Sequence, residues 1–283
     1  MKKFLFIPGL PRCATTSFVQ VLGQHPDIFL PKIKESHFFL PLKEQFYMFD
    51  NKGNKIPFGK CGFINSETAF NRNYNEFKEK KTFIDGSTLY AVHPTSIDYI
   101  ASQKEIDPYF IILKRDPFKR AISHYLYSIS RGEEYRSFER ALADEKNKKY
   151  PTWLLGGYLK GSSSRECEEK IKFYWGTEKL IVADIDNENI FNDSYMSSIM
   201  NFLNLQNFNF NYNVQSNSLV YTENKVIEYL RISLKRLRQQ NPLIIDNKIT
   251  RFLFEIFMKS IPNTKNIYEE YGQYEELYYS HYE

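Results

Sequence analysis

Apolar runs and amphipathic stretches alternate along the first two thirds of the chain. Phe4–Ile7 and Tyr109–Leu113 are almost continuously apolar, which is typical of strands buried on both faces of a sheet. Two further strands are predicted at Lys81–Thr88, which ends in a turn, and at Lys179–Asp184. Apolar residues at helical spacing predict helices from about Thr15 to Gly23, at His93–Ile100, from Pro117 with Asp116 as N-cap, at Arg165–Trp175 and at Asp193–Leu203. Strands separated by helices favour a parallel, doubly wound α/β sheet.

The rest of the chain has weaker patterns. Residues 41–80 predict a long excursion with a helical patch at 66–80. Two amphipathic helices are predicted around 226–237 and 249–257, and the end of the chain from Tyr268 is acidic and rich in tyrosine. The basic face of the first of these helices is interpreted as a solvated face, with peripheral contact to an acidic glycan or an anionic membrane surface as the alternative.

Composition supports one domain. The 283 residues are 42% hydrophobic and 17% aromatic, enough to bury one substantial core. Since no repeat or linker divides the chain, a single domain over 1–283 is predicted, with helices from about 222 packed on the core. The formal net charge of +4 suits polyanionic ligands and gives no indication of nucleic acid, which is not expected as a partner.

The cysteines and the apolar runs bear on the compartment. Cys13, Cys61 and Cys167 are odd in number and far apart, so neither a disulfide framework nor a zinc site is predicted, and a reducing compartment is. The apolar start is too short for a signal-peptide core, and no apolar run approaches membrane-spanning length. A cytoplasmic protein without a transmembrane segment is therefore expected.

The segment after the first strand has the chemistry of an anion-binding loop. Pro8-Gly9-Leu10-Pro11 forces a sharp exit from the strand, and the following helix directs its N-terminal N–H groups to the same place. Hydroxyl groups and one guanidinium, that of Arg12, add to these donors. The ATPase pattern is absent, because Ala14 replaces its second glycine and Thr15 its lysine. An ordinary capped turn is the alternative to a phosphate-binding loop.

Two segments resemble one family. Gly9–Thr16 resembles the 5′-phosphosulfate loop of sulfotransferases that use 3′-phosphoadenosine-5′-phosphosulfate (PAPS). Arg115-x-Pro117-x-x-Arg120-Ala121-x-Ser123-x-Tyr125 resembles their 3′-phosphate motif, in which the Arg and the Ser hold the phosphate that distinguishes PAPS from ATP. The donor-binding residues that this resemblance implies are Pro11, Arg12, Cys13, Ala14, Thr15, Thr16, Ser17, Arg115, Ser123, Lys160 and Gly161.

A third segment resembles the catalytic region of the carbohydrate branch of that family. Lys34-Glu35-Ser36-His37-Phe38-Phe39 is similar to the Glu-x-His-Phe-Phe segment of heparan-type sulfotransferases, whose Glu is the general base. The resemblance implies Glu35 as base and His37 as its positioning partner, with His37 as the alternative base. Arg12 stands where those enzymes carry Lys, and it is expected to stabilise charge on the departing bridging oxygen rather than to donate a proton.

Two weaker matches complete the candidate site. Asp85–Tyr90 resembles the Lys-Ser/Thr-Pro-x-Tyr segment near the acceptor, but Gly86 replaces the Lys and Thr88 the Pro. Asp85 and Ser87 are candidate acceptor contacts, with a strand-end turn as the alternative. Lys160 and Gly161 match a segment that closes over the 3′-phosphate, although Ser163 replaces its Tyr, so a solvated loop is equally favoured.

Together these resemblances imply a P-loop-like, three-layer α/β fold with a central parallel sheet flanked by helices. The implied activity is transfer of a sulfonate group from PAPS to a hydroxyl or amine of a carbohydrate or glycan acceptor, leaving 3′-phosphoadenosine-5′-phosphate (PAP), without a metal. A kinase-type P-loop transferase and a non-catalytic nucleotide-binding module are the alternatives. The Lys- and Asn-rich composition suggests a bacterial source.

Overall fold

A five-stranded parallel sheet forms the centre of the protein. The structure is a computed structural model that describes residues 1–40, 47–49, 55–57, 77, 82–131, 134, 136–147, 157–214 and 271–282. Its strands are β1 (Lys2–Phe6), β2 (Ile28–Phe29), β3 (Tyr47–Phe49), β4 (Lys55–Pro57), β5 (Thr82–Asp85), β6 (Ile106–Lys114) and β7 (Leu180–Asp184). The sheet order is β2-β5-β1-β6-β7 with all pairs parallel, while β3 and β4 form a separate antiparallel pair.

The helices lie between the strands in the order that the sequence predicts. They are α1 (Thr15–Leu22), α2 (Leu89–Val92), α3 (Thr95–Ala101), α4 (Pro117–Arg131), α5 (Phe138–Lys146), α6 (Arg165–Trp175), α7 (Asp193–Phe202) and α8 (Glu275–Tyr282). Short 3₁₀ turns cover Lys160–Ser162, Thr177–Lys179 and Gly272–Tyr274. The predicted parallel α/β fold is confirmed, and α6 has the predicted bounds, while α2, α5 and α8 were not predicted. Asp116 caps α4 as expected, since its Oδ1 accepts from the backbone N–H of Lys119 at 2.7 Å.

Aromatic residues of the central strands form the core beneath the site. In the register of β1, Phe4 lies beside Phe83 of β5 and Phe6 beside Phe110 of β6. Their ring centroids are 4.8 and 5.4 Å apart, and the four rings are buried. Such burial on both faces of a parallel sheet explains why these strands appear as continuous apolar runs in the sequence.

A second cluster joins the end of the described chain to the middle of it. Tyr278 of α8 is buried against Phe118 of α4 and belongs to a cluster that also includes Phe138 of α5 and Tyr158. The tyrosine-rich end is thus packed as a helix against α4 and α5 over 275–282.

Several predictions fall outside the described residues. They concern Cys61, the helical patch at 66–80 except residue 77, and the helices around 226–237 and 249–257. The single-domain boundary stays a prediction. In the described parts of the chain, the helices are all too short or too polar to traverse a bilayer.

The sheet topology decides where a ligand can bind. The strand β1 is central, and the chain continues from it to the β5–β2 side before it returns to β6 on the other side. Ligands of open parallel sheets bind at the carboxyl ends of the strands where the order reverses in this way. The segments after β1, β2, β5 and β6 lie at that edge, and they contain the β1–α1 loop, Glu35, Asp85 and Arg115.

Candidate active site

The loop between β1 and α1 has the backbone conformation of an anion cradle. Arg12 and Ala14 have φ values of 73° and 56°, in the left-handed region, at a cost of roughly 1–2 kcal/mol each. A Cβ at Gly9 would lie 3.0 Å from Thr15 Cγ2 and 3.1 Å from the backbone N of Leu113, so the close approach of this loop to β6 requires glycine. The N-terminus of α1 has no side-chain cap, which leaves its first N–H groups directed at the loop.

Alternate residues of this loop face opposite ways. The buried ones are Pro11, Cys13, Thr15 and Ser17. The half-buried ones are Arg12, Ala14 and Thr16. Among the predicted side-chain donors, Arg12 and Thr16 are therefore the more accessible residues.

Arg12 connects the loop with the predicted 3′-phosphate helix. Its Nε donates a hydrogen bond to Ser123 Oγ at 3.2 Å, and its guanidinium carbon lies 4.6 Å from the ring centroid of Tyr127. Ser123 and Tyr127 lie one turn apart on α4. Two motifs separated by 111 positions in the sequence thus meet in one place.

Arg115 lies at the end of β6, beside a carboxylate that the sequence analysis missed. Its Nε is 3.6 Å from Asp186 Oδ1, and the other oxygen of Asp186 accepts from the backbone N–H of Asp116 at 2.8 Å. Asp186 follows β7, the neighbour of β6 in the sheet. The only signal for it was that both residues come directly after predicted parallel strands, whose carboxyl ends share an edge.

The pKa of the Cys13 thiol reflects its burial and the charges around the loop. Burial raises the pKa of its thiol to about 12, although the positive charges of Arg120, Arg115 and Arg12 act in the opposite direction. The thiol is therefore protonated and inert at neutral pH. The arginines that act on it place the loop in a positive field, which favours an anionic ligand.

Glu35 is held by three neighbouring side chains. Its Oε1 is 2.6 Å from Lys34 Nζ, while its Oε2 is 3.5 Å from His37 Nε2 and accepts from Thr88 Oγ1 at 3.3 Å. Burial acts to raise the pKa of this carboxyl group, but the hydrogen bond with His37 and the charge of Lys34 lower it to about 2. The side chain of Glu35 is 31% exposed and that of His37 is fully buried. Glu35 is thus the more accessible member of the pair.

Asp85 lies beneath the segment that carries Glu35. It is 1% exposed and accepts hydrogen bonds from Ser36 Oγ at 2.9 Å, Tyr90 OH at 2.9 Å and both the N–H and the hydroxyl of Ser87. Ser87 Oγ in turn accepts from the backbone N–H of His37 at 2.9 Å. This buried network fixes the segment that carries Glu35 against the end of β5. Contact of Asp85 and Ser87 with an acceptor stays a prediction, and no role was predicted for Ser36 or Tyr90.

The segment with Lys160 and Gly161 lies against the start of α4. Ser162 Oγ is 3.2 Å from the carbonyl oxygen of Pro117, to which it is placed to donate, and Gly161 is buried beside it. Lys160 has an exposed side chain, and its backbone N–H donates to Glu145 Oε1 at 3.0 Å. The segment is therefore a neighbour of the Arg115 region.

Arg120 is the internal anchor of this segment. It is fully buried, and it donates to Ser162 Oγ at 2.7 Å and to the carbonyl oxygens of Gly157 and Tyr158 at 2.8 and 2.9 Å. In the sequence, Arg120 was only one position of the segment that resembles the 3′-phosphate motif. Its structural role could not be predicted, because nothing local to α4 indicates which distant carbonyl groups it binds.

The assembled residues concentrate cationic and hydroxyl groups at one edge of the sheet. The β1–α1 loop contributes Arg12 and Thr16, Lys34 contacts Thr16, and Ser123 contacts Arg12. Arg115 lies at the end of the neighbouring strand β6. The carboxylate of Glu35 lies between Lys34 and Thr88, which follows β5. Among the described residues, no group of three His, Cys, Asp or Glu side chains is arranged to hold a metal ion.

The fold is that of the sulfotransferases. A sulfotransferase from Alicyclobacillus acidocaldarius aligns with a TM-score of 0.63 and 21% sequence identity over 89% of this chain and 99% of that chain. The sulfotransferase domains of the curacin biosynthetic pathway and of the Synechococcus PCC 7002 olefin synthase align with TM-scores of 0.47 and 0.43 and identities of 13% and 15%. They cover 96% and 98% of this chain, and 96% and 94% of their own. No protein-family model matches the chain, and no curated protein sequence does.

Proposed function

We propose that this protein is a sulfotransferase that uses PAPS as sulfonate donor. The observation that carries the proposal is the contact between Arg12 of the β1–α1 loop and Ser123 of α4, at 3.2 Å. One adenosine nucleotide with a phosphosulfate at its 5′ end and a phosphate at its 3′ end requires two anion sites in one cleft, which is the arrangement that this contact supports. The sulfotransferase fold is consistent with the same donor.

In this proposal the β1–α1 loop binds the phosphosulfate end of the donor. Arg12 neutralises the charge that develops on the bridging oxygen, which is the role that the resemblance implies for it. Arg115 and Ser123 bind the 3′-phosphate, and the segment at Lys160 and Gly161 borders that end. Asp186 holds the guanidinium of Arg115 near the end of β6.

Glu35 is the proposed general base. Its partial exposure and its contact with Lys34, which in turn donates to Thr16 of the loop, favour it over the fully buried His37. As the acceptor oxygen or nitrogen attacks sulfur, Glu35 accepts the proton that this atom loses, while His37 and Thr88 hold the carboxylate in place. The acceptor is proposed to be a carbohydrate or glycan, on the strength of the Glu-x-His-Phe-Phe resemblance.

The donor can be tested before the acceptor is known. PAP, which lacks the transferable sulfonate, is titrated into the protein and compared with ATP plus Mg²⁺ by thermal shift and calorimetry. A ligand at 100 times its dissociation constant stabilises the folded state by about 2.7 kcal/mol. We expect PAP to raise the melting temperature more than ATP with Mg²⁺ does. The reverse order would overturn the proposal and favour a kinase-type transferase.

The acceptor class requires an activity assay. Sulfonate-labelled PAPS is incubated with the protein and with sets of glycan, lipid-linked and small phenolic acceptors. Transfer to glycans is the expected result, and transfer only to phenols would contradict the carbohydrate assignment while leaving the donor assignment intact. PAP binding without transfer to any acceptor would support the non-catalytic alternative.

A further inference from the structure

The side chain of Lys34 occupies the space above Gly86. A Cβ built on Gly86 would lie 3.0 Å from Lys34 Cγ and 3.3 Å from Lys34 Cδ. The two backbones are also joined, since the N–H of Gly86 donates to the carbonyl oxygen of Lys34 at 3.0 Å. In the sulfotransferase segment that Asp85–Tyr90 resembles, a lysine occupies the position of Gly86. A side chain at position 86 and the side chain of Lys34 would therefore occupy the same space.

The ammonium group of Lys34 lies between the anion loop and the candidate base. Its Nζ donates to Thr16 Oγ1 at 3.2 Å and is 2.6 Å from Glu35 Oε1. The side chain is 19% exposed, so the ammonium is partly shielded from water but open to a ligand. Thr16 is one of the half-buried residues of the loop, on the surface that faces the phosphosulfate end of the donor.

We propose that Lys34 supplies the cation that position 86 lacks, and that its ammonium binds an oxygen of the donor's 5′-phosphosulfate group beside Glu35. The inference rests on the proposed function, and it adds Lys34, to which the resemblance assigned no role in the site. Lys34 gives neither a base nor an acid to the reaction. The acceptor's proton goes to Glu35, the bond from sulfur to the acceptor forms, and the bond from sulfur to the phosphate oxygen breaks with its electron pair on that oxygen.

The pairing of Lys34 with Glu35 gives this arrangement a second consequence. A carboxylate that is tightly paired with an ammonium is a weak base, consistent with the depressed pKa of Glu35. When Lys34 turns from Glu35 toward a donor oxygen, the carboxylate loses part of that stabilisation and becomes more basic. The groups that face Glu35 are then His37, which is buried behind it, and Thr88.

The test compares ligands that share only one end. PAPS has both anionic ends, whereas adenosine 3′-phosphate lacks the 5′ group that Lys34 is proposed to bind. For Lys34→Met we expect the affinity for PAPS to fall about 10-fold or more, which corresponds to about 1.4 kcal/mol. The affinity for adenosine 3′-phosphate should stay within about 2-fold of the unmodified protein. Lys32→Met removes the same charge from an exposed position two residues away, and it should leave both affinities unchanged.

Moving the lysine from position 34 to position 86 tests whether the affinity for PAPS can be recovered. Lys34→Ala frees the volume above position 86, and Gly86→Lys in that background returns an ammonium from the opposite backbone. Only Val19 Cγ2, 3.1 Å from the new Cβ, then has to yield slightly. The double variant should recover PAPS affinity relative to the matched Lys34→Ala/Gly86→Ala variant, which has no ammonium at either position. Melting curves without ligand show which variants fold.

The outcomes separate the two proposals. If the unmodified protein fails to bind PAPS or PAP, the proposed function is overturned and the inference falls with it. If it binds PAPS but folded Lys34→Met loses nothing, or loses equally for PAPS and adenosine 3′-phosphate, the role of Lys34 alone is overturned. Selective loss for PAPS together with recovery in the transposed variant supports it.

Discussion

Glu35 combines the two properties that its proposed role needs, a fixed position and access to a ligand. Its oxygens contact Lys34, His37 and Thr88, and about a third of its side chain remains exposed. The hydroxyl of Ser36 donates to Asp85 and the N–H of His37 donates to Ser87 Oγ, and these bonds hold the segment around Glu35 in place. At the scale of single residues, the site therefore depends on a carboxylate whose neighbours come from two loops.

Replacing this carboxylate by its amide tests the base directly. Glu35→Gln keeps the shape of the side chain but cannot accept the acceptor's proton, and a general base contributes about 10²- to 10⁴-fold to such a reaction. Sulfonate transfer from labelled PAPS should fall by that order, while the affinity for PAP measured by calorimetry stays unchanged. Full turnover in Glu35→Gln would transfer the role of base to His37, and the same assay on His37→Gln would then decide.

The pH dependence of stability tests the environment of Glu35. Its pKa is lowered from an ordinary value of 4.5 to about 2 by its neighbours, despite burial, which acts to raise it. A carboxyl group whose pKa is lower in the folded state stabilises the fold above its unfolded pKa, and this contribution is lost as the pH falls toward 2. Urea unfolding at pH 7 and at steps from pH 5 to pH 2.5 should therefore show a stability advantage over Glu35→Gln that shrinks below about pH 4.5. A constant difference across this range would contradict the lowered pKa of Glu35 and the contacts with His37 and Lys34 that cause it.

Helix α8 acts on the site through a second element. Its Tyr278 donates to Ser162 Oγ at 2.9 Å, and its Tyr279 donates to Asp116 Oδ2 at 3.0 Å, next to the start of α4. Ser162 also binds Arg120, so one hydroxyl joins α8, α4 and the segment with Lys160. The tyrosine-rich end of the chain, which had no interpretation in the sequence, is thus a brace for the proposed 3′-phosphate end.

Removing that hydroxyl should loosen the brace. Ser162→Ala leaves the buried donors of Arg120 Nε and Tyr278 OH with one partner fewer, at a cost of roughly 1–3 kcal/mol. Urea denaturation should show a loss of that size, and the affinity for PAP should fall because the segment borders its 3′-phosphate. Ser194→Ala, at an exposed position of α7, is the control and should change neither quantity. An unaltered midpoint in Ser162→Ala would mean that α8 is not coupled to the segment through this contact.

At the scale of the whole molecule, the sheet brings two distant stretches of chain to one edge. The strand β1 delivers the anion loop and β6 delivers Arg115, and the two strands pair directly. The donor is proposed to span the ends of both strands, so that its affinity depends on two anion sites that the fold holds at a set separation.

A ligand that lacks one end tests this span. Adenosine 5′-phosphosulfate has the sulfonate but not the 3′-phosphate. Arg115→Met should lower the affinity for PAPS by about 10- to 100-fold, the loss of one charged hydrogen-bonding partner, and should leave adenosine 5′-phosphosulfate unaffected. Lys119→Met removes a half-exposed charge near the same Asp186 and is the matched control. Equal losses for both ligands in Arg115→Met would show that Arg115 supports the fold rather than the 3′-phosphate.

Features that depend on neighbours in the sequence were predictable. Continuous apolar runs predicted β1 and β6, because strands covered on both faces need apolar residues at every position. The cap of α4 by Asp116 follows from local backbone chemistry. The anion loop was identified by its residue types, and the roles of the other two candidate segments by their resemblance to sulfotransferase motifs, while the structure brings all three to one edge of the sheet.

Only the tertiary structure decided which distant side chains meet. The pairing of Arg115 with Asp186, the buried network around Asp85 and the hub at Ser162 all join residues far apart in the chain, where no periodicity or spacing links them. The position of Lys34 above Gly86 depends on the packing of a loop against the end of β5. Local propensity thus determined the elements and the loop chemistry of this protein, whereas burial and the strand order determined the partners, because these arise only when separate elements share one core.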